Sequence, residues 1–143
     1  MARQPHRIGR ALFVTVLAML LVACTEKAPA GTPVDVTLRD FHIQTAEETV
    51  AAGHVVFRVQ NDAPMTHEFV VVRTDLPDDQ LPIGSDGLSV NEEWLSAMGE
   101  LDDVPASQSR SLPLDLAPGR YVFFCNLEGH YLGGMHGVLE VTG

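Results

Sequence analysis

From residue 34 onward the chain alternates. Val34, Val36 and Leu38 are separated by polar residues, the period-two pattern of a half-buried strand. Phe41-His42-Ile43 continues it after a bend, and Thr49-Val50 is a short edge candidate. His54 to Gln60 places Val55, Phe57 and Val59 on one face. Asn61-Asp62-Ala63-Pro64 is a turn signal. A strand rich in Phe and Val then runs from His67 to Arg73. Ser109 to Leu116 alternates again through Leu112, Leu114 and Leu116. Pro118-Gly119 turns the chain into a strand from Arg120 to Cys125, and Gly137 to Thr142 is the last. Many short strands divided by turns predict an all-β domain, either a sandwich or a barrel.

The stretch from Thr74 to Gln108 breaks this rhythm. Its first half is rich in Pro, Asp and Gly. In its second half Ser89 and Glu92 make a capping-box pair. Trp94, Leu95, Met98 and Leu101 recur at helical spacing. The pattern predicts one short amphipathic helix from about Val90 to Met98, ended by Gly99 and packed against the strands.

The N-terminus is of another kind. Arg3, Arg7 and Arg10 precede an uncharged apolar run from Ala11 to Ala23. That run is too short for a comfortable membrane span but suits a secretory signal. It ends in Leu21-Val22-Ala23-Cys24, which resembles the lipobox of bacterial lipoproteins. The resemblance implies a signal peptide over residues 1–23 and lipid on Cys24. It further implies an extracytoplasmic, lipid-anchored location at a bacterial cell membrane. Residues 24–33, rich in Pro and small residues, read as a tether, and 34–143 as one domain.

Charge and cysteine content now take on meaning. The chain has 9 Lys+Arg against 19 Asp+Glu, a formal net charge of −10. Loss of residues 1–23 removes three Arg and no acid, leaving −13. Such a surface excludes nucleic acid as a partner and favours a basic one. Of the two Cys, lipidation would consume Cys24 and leave Cys125 with no partner in the chain. A lone thiol in an oxidising compartment is a hazard unless something, such as a metal, occupies it.

Between the last two strand signals lies Cys125-Asn-Leu-Glu-Gly-His130-Tyr-Leu-Gly-Gly-Met135-His136. A thiolate, an imidazole and a thioether fall within eleven residues. Thiolate and thioether are soft ligands that select copper, and imidazole suits both of its oxidation states. A second imidazole must come from elsewhere. His67 fits, since it opens a strand directly after the Asn61–Pro64 turn.

The segment resembles the cupredoxins, which join an upstream His to a C-terminal Cys–His–Met loop between the last two strands. The spacing here, Cys-x4-His-x4-Met, is similar to the rusticyanin type. Gly119-Arg-Tyr-Val-Phe-Phe-Cys125 and Gly137-Val-Leu-Glu-Val141 match as well. The resemblance covers about residues 34–143 and implies a Greek-key β-sandwich with one copper ion per chain. It implies His67, Cys125, His130 and Met135 as the ligands, the last as a weak axial one. It implies a one-electron carrier rather than an enzyme, a monomer, serving a redox protein such as a cytochrome or a membrane oxidase. Extracytoplasmic copper capture or delivery is the alternative, with Met65, His67 and His136 as transfer ligands. Two features depart from the family pattern. Glu68 follows the upstream His where many cupredoxins carry Asn or Ser, and His136 adjoins Met135 as a competitor for the axial place.

Overall fold

The computed structural model describes residues 31–143. The predicted signal peptide, Cys24 and residues 24–30 of the tether lie outside the described residues. Among the described residues nine strands form two sheets. Sheet one has the order β2-β1-β4-β7, and sheet two the order β3-β9-β8-β5-β6. The strands are β1 Thr32–Arg39, β2 His42–Thr45, β3 Thr49–Ala51, β4 Gly53–Asn61 and β5 His67–Arg73. After the long loop come β6 Ser96–Val104, β7 Ser109–Leu116, β8 Gly119–Phe124 and β9 His136–Thr142. β1 runs parallel to β4 and β3 parallel to β9; the other neighbours are antiparallel.

The alternation in the sequence is the inner face of this sandwich. Val34, Val36 and Leu38 from β1 and Val55, Phe57 and Val59 from β4 meet Phe69, Val71, Tyr121, Phe123 and Leu139 from sheet two. Phe69 is the pivot. Its ring lies 5.5 Å from that of Phe57 on the facing sheet and 5.7 Å from that of Phe123 on the neighbouring strand.

β5 and β8 do not alternate because both of their faces are buried. Their outer residues Val70, Val72, Val122 and Phe124 pack with Leu81, Val90 and Tyr131 in a second cluster. The Pro- and Asp-rich loop after β5 folds back over this face. Tyr131 holds it there, its hydroxyl accepting the Leu81 N–H at 2.8 Å.

The predicted helix over Val90–Met98 does not form. Glu92–Trp94 make a single 3₁₀ turn, and Asn91 rather than Ser89 caps it, accepting the Glu93 N–H at 3.2 Å. Ser96–Val104 is instead an edge strand on β5. Tertiary pairing overrode a local pattern that looked helical. Spacing of three puts Met98 and Leu101 on opposite faces of a regular strand, but bulges in β6 let both pack on the core. Gly99 does not stop a helix; a Cβ there would lie 2.8 Å from Leu114 Cδ2 on β7. Trp94, expected to pack, is 74% exposed. At the N-terminal edge, β1 takes in Thr32 and Pro33 of the expected tether.

Candidate metal centre

The order of sheet two assembles the site. β9, β8 and β5 are neighbours, and β8 runs antiparallel to both others. The start of β5, the end of β8 and the start of β9 therefore lie at one end of the sandwich. His67 opens β5, Cys125 follows β8, and Met135 precedes β9. The loop between Cys125 and Met135 brings His130 back to the same place.

That loop is wound tightly. The His130 N–H donates to the Leu127 carbonyl at 2.9 Å, and the Met135 N–H donates to the His130 carbonyl at 3.0 Å. The Cys125 N–H donates to the Met135 carbonyl at 3.0 Å and closes the loop. Gly129 and Gly134 turn the chain with φ of +79° and +105°, values that L side chains rarely adopt.

Three donor atoms converge. Nδ1 of His67 and Nδ1 of His130 are 3.2 Å apart, and Cys125 Sγ lies 3.8 Å and 3.5 Å from them. All three residues are buried, and they form a group able to hold a metal ion. The circle through these atoms has a radius of about 2.0 Å. Bonds from a first-row metal to nitrogen and sulfur run to about 2.0–2.3 Å. The residues thus fit a small metal ion in trigonal coordination. Met135 is fully buried in the same core cluster as Cys125. His130, 8% exposed, is the one member of the four that reaches the surface.

His136 is not a competitor. Its Nδ1 is 2.7 Å from Asp78 Oδ2, and Arg120 ties Asp78 to Glu140 through contacts of 3.6 Å each. As a strand neighbour of Met135 it faces the other way. His42 and His54 lie outside the centre; His54 pairs with Asp115 at 2.9 Å.

Without an ion, the surroundings disfavour charge on either His67 or Cys125. Burial pulls the His67 imidazole below its ordinary value, and His130 pushes the same way while Asp40 opposes. Burial pushes the Cys125 thiol up, against the backbone N–H groups of Leu127 and Glu68. A cation among these atoms would displace the Cys125 thiol proton and take up the free Nδ1 of a neutral imidazole. The Glu68 N–H donates to Cys125 Sγ at 3.4 Å. The departure at Glu68 thus leaves a backbone link between the His67 strand and the thiolate. Burial also pushes the Glu68 carboxyl up, reinforced by Glu92, Asp102 and Glu100.

Several supports escaped the sequence reading. Asn61 is fully buried. Its Nδ2 donates to the carbonyls of Met65 and Val104 at 2.8 and 2.7 Å, and its Oδ1 accepts the Ala63 N–H at 2.9 Å. It thereby fixes the turn that delivers His67. Asn126 bonds the backbone of Val90 in both directions and Glu92 Oε1 at 2.6 Å, anchoring the ligand loop to the 3₁₀ turn. Phe41 lays its ring 5.4 Å from that of His130. The only local signal for any of these was that Asn61 opens a turn. Tyr131, in the same loop, is buried in the outer cluster.

Residues 31–142 match the family model of copper binding proteins of the plastocyanin/azurin family. The chain belongs to this family, the cupredoxins. Copper is accordingly its cofactor, and His67, Cys125, His130 and Met135 are arranged as a single type 1 site. Solved structures agree on the fold. Sodium dithionite-reduced auracyanin from Roseiflexus castenholzii is 22% identical with a TM-score of 0.62, covering 80% of this chain and all of its own. An azurin from Methylomonas sp. strain J is 18% identical with a TM-score of 0.57, over 80% of this chain and all of its own. Rusticyanin from Thiobacillus ferrooxidans is 16% identical with a TM-score of 0.53, over 79% of each chain. No curated protein matches this cupredoxin by sequence.

Proposed function

We propose that this cupredoxin carries single electrons through one copper ion held by His67, Cys125, His130 and Met135. The observation that carries the reading is the closed trigonal set of two Nδ1 atoms and one Sγ, with donor separations of 3.2–3.8 Å inside the core. Bound there, copper would supply a one-electron couple, and His67, Cys125, His130 and Met135 offer the imidazole, thiolate and thioether donors that would hold it. The chain's part is to keep its ligands still. His67 is set by Asn61 and the β5 ladder, Cys125 by the Met135 carbonyl and the Glu68 N–H, and His130 by the turn from Leu127. Ligands held by packed strands move little when the charge on the ion changes.

His130 is the port. Phe41, whose ring packs on His130, Leu132 in the same loop and Met65 two residues before His67 are large apolar side chains left in solvent. This rim suits transient docking, and the acidic remainder suits a basic redox partner whose association weakens with salt. The lipid on Cys24 implied by the lipobox would hold the monomer at a membrane surface outside the cytoplasm, near such a partner. Copper delivery fits less well, because His67 is fully buried and His136 is occupied by Asp78.

The test is to load the chain with Cu(II) and record visible and EPR spectra beside Cys125→Ser. An intense thiolate-to-copper band that the variant loses is expected. A colourless, readily exchanged Cu(II) refutes the carrier reading.

A further inference from the structure

The turn between β1 and β2 reaches the metal centre from the other sheet. We propose that Asp40, in that turn, is a positioning residue for His67: its carboxylate fixes the orientation of the ring and biases the bound copper toward its oxidised state. The inference rests on the copper carrier reading above.

Nδ1 of His67 faces Cys125 Sγ and His130 Nδ1. A neutral imidazole that offers Nδ1 to a metal must carry its proton on Nε2. Nε2 of His67 is buried and makes no well-formed hydrogen bond. A carboxylate nevertheless stands in front of it: Asp40 Oδ1 at 3.3 Å. Distance permits the bond and only alignment is lacking. The Asp40 side chain is 43% exposed, so it has room to rotate and close the contact. Its neighbour Arg39 does not compete, since it pairs with Asp62 at 3.7 Å.

The placement of Asp40 is held from the next residue. Phe41 has φ of +58°, uncommon for an aromatic side chain. Its ring packs on His130 and fills the space above Gly133, where a Cβ would collide with Phe41 Cδ1. One turn thus touches both imidazoles, Phe41 on one and Asp40 on the other. A carboxylate on the outer nitrogen of a ligating His orients the ring and raises its basicity. Its negative charge also favours the more highly charged metal state.

The experiment compares the copper-loaded protein with Asp40→Asn, which keeps shape and an acceptor oxygen but loses the charge. Asp115→Asn, at the far end of β4 and β7, controls for removal of any surface charge. Asp40→Asn should retain the thiolate-to-copper band. At a fixed ambient potential its Cu(I):Cu(II) ratio should rise about tenfold, equivalent to about 59 mV for one electron. Asp115→Asn should change the ratio less than twofold. In the Cu(I) protein the Nε2–H resonance of His67 should move upfield when the carboxylate becomes an amide. An Asp40→Asn potential equal to that of the parent or of Asp115→Asn overturns the proposal, as does an unmoved resonance. Absence of the band in the parent protein overturns the copper reading itself, and the proposal with it.

Discussion

Replacing Asn61 by Ala isolates the support beneath His67. Three hydrogen bonds vanish at once: those to the Met65 and Val104 carbonyls and that from the Ala63 N–H. A typical bond contributes about 1 kcal/mol net, and a buried group left without a partner costs about 1–3 kcal/mol. The Val104 carbonyl and Ala63 N–H bonds are buried, whereas the Met65 bond is only partly so and water can replace it. The expected loss is therefore about 3–5 kcal/mol, or about 10–20 °C in Tm for a domain of this size. Urea and thermal unfolding of the metal-free protein by far-UV circular dichroism measures it. Trp94 is too exposed to report on the core. The Val104 bond ties the β4–β5 turn to the end of β6, so the copper-loaded variant should also show a broadened and shifted thiolate band. A loss below about 1 kcal/mol, or a full loss with unaltered spectra, refutes the claim that Asn61 positions His67.

Met135→Ala should move the potential and weaken the fold by about 2–5 kcal/mol as a buried truncation, whereas His136→Ala should leave the visible spectrum in place; titration and spectroscopy of the pair decide the axial ligand. The metal-free protein should lose stability as pH falls below about 6.5, because burial depresses His67 and the unfolded chain binds its proton more readily. The same protein should lose stability as pH rises above about 9, because the buried Cys125 thiol resists ionisation and the unfolded thiol does not; urea midpoints across pH check both limbs, and copper should flatten them. Gly133→Ala should displace Phe41 from His130, since the new Cβ would collide with the ring; a copper spectrum and stability equal to those of the parent would contradict that packing.

Pattern and structure agree where one face of a strand is buried. Val34, Val36 and Leu38 and then Val55, Phe57 and Val59 could be assigned to the core because polar residues separate them. Phe69-Val70-Val71-Val72 and Tyr121-Val122-Phe123-Phe124 gave strand identity but not facing, because each residue is buried on one side or the other. β6 was misread for a different reason. Its apolar residues are spaced by bulges against β5, and bulges are set by a partner strand that local sequence does not reveal.

The site divides along the same line. Cys125, His130 and Met135 sit in one short loop, so their spacing could be read directly. His67 is 58 positions from Cys125, yet it was reachable because the chemistry demanded a second imidazole and His67 opens a strand directly after the Asn61–Pro64 turn signal. The supporting roles of Asn61 and Asn126 were not legible because their distant partners, the Val104 carbonyl and the Val90 backbone with Glu92, lie 43, 36 and 34 residues away. Asp40 and Phe41 were invisible because a turn tip has no periodicity to show where it points. The ligands meet because β5, β8 and β9 are adjacent and β8 is antiparallel to both. Three ligand-bearing ends are thus brought together by strand order alone, before any metal binds. What strand order leaves free is the tilt of each imidazole. In this chain that freedom falls to Asp40 and Phe41 from the opposite sheet, so the metal's environment is tuned from a segment that contributes no ligand.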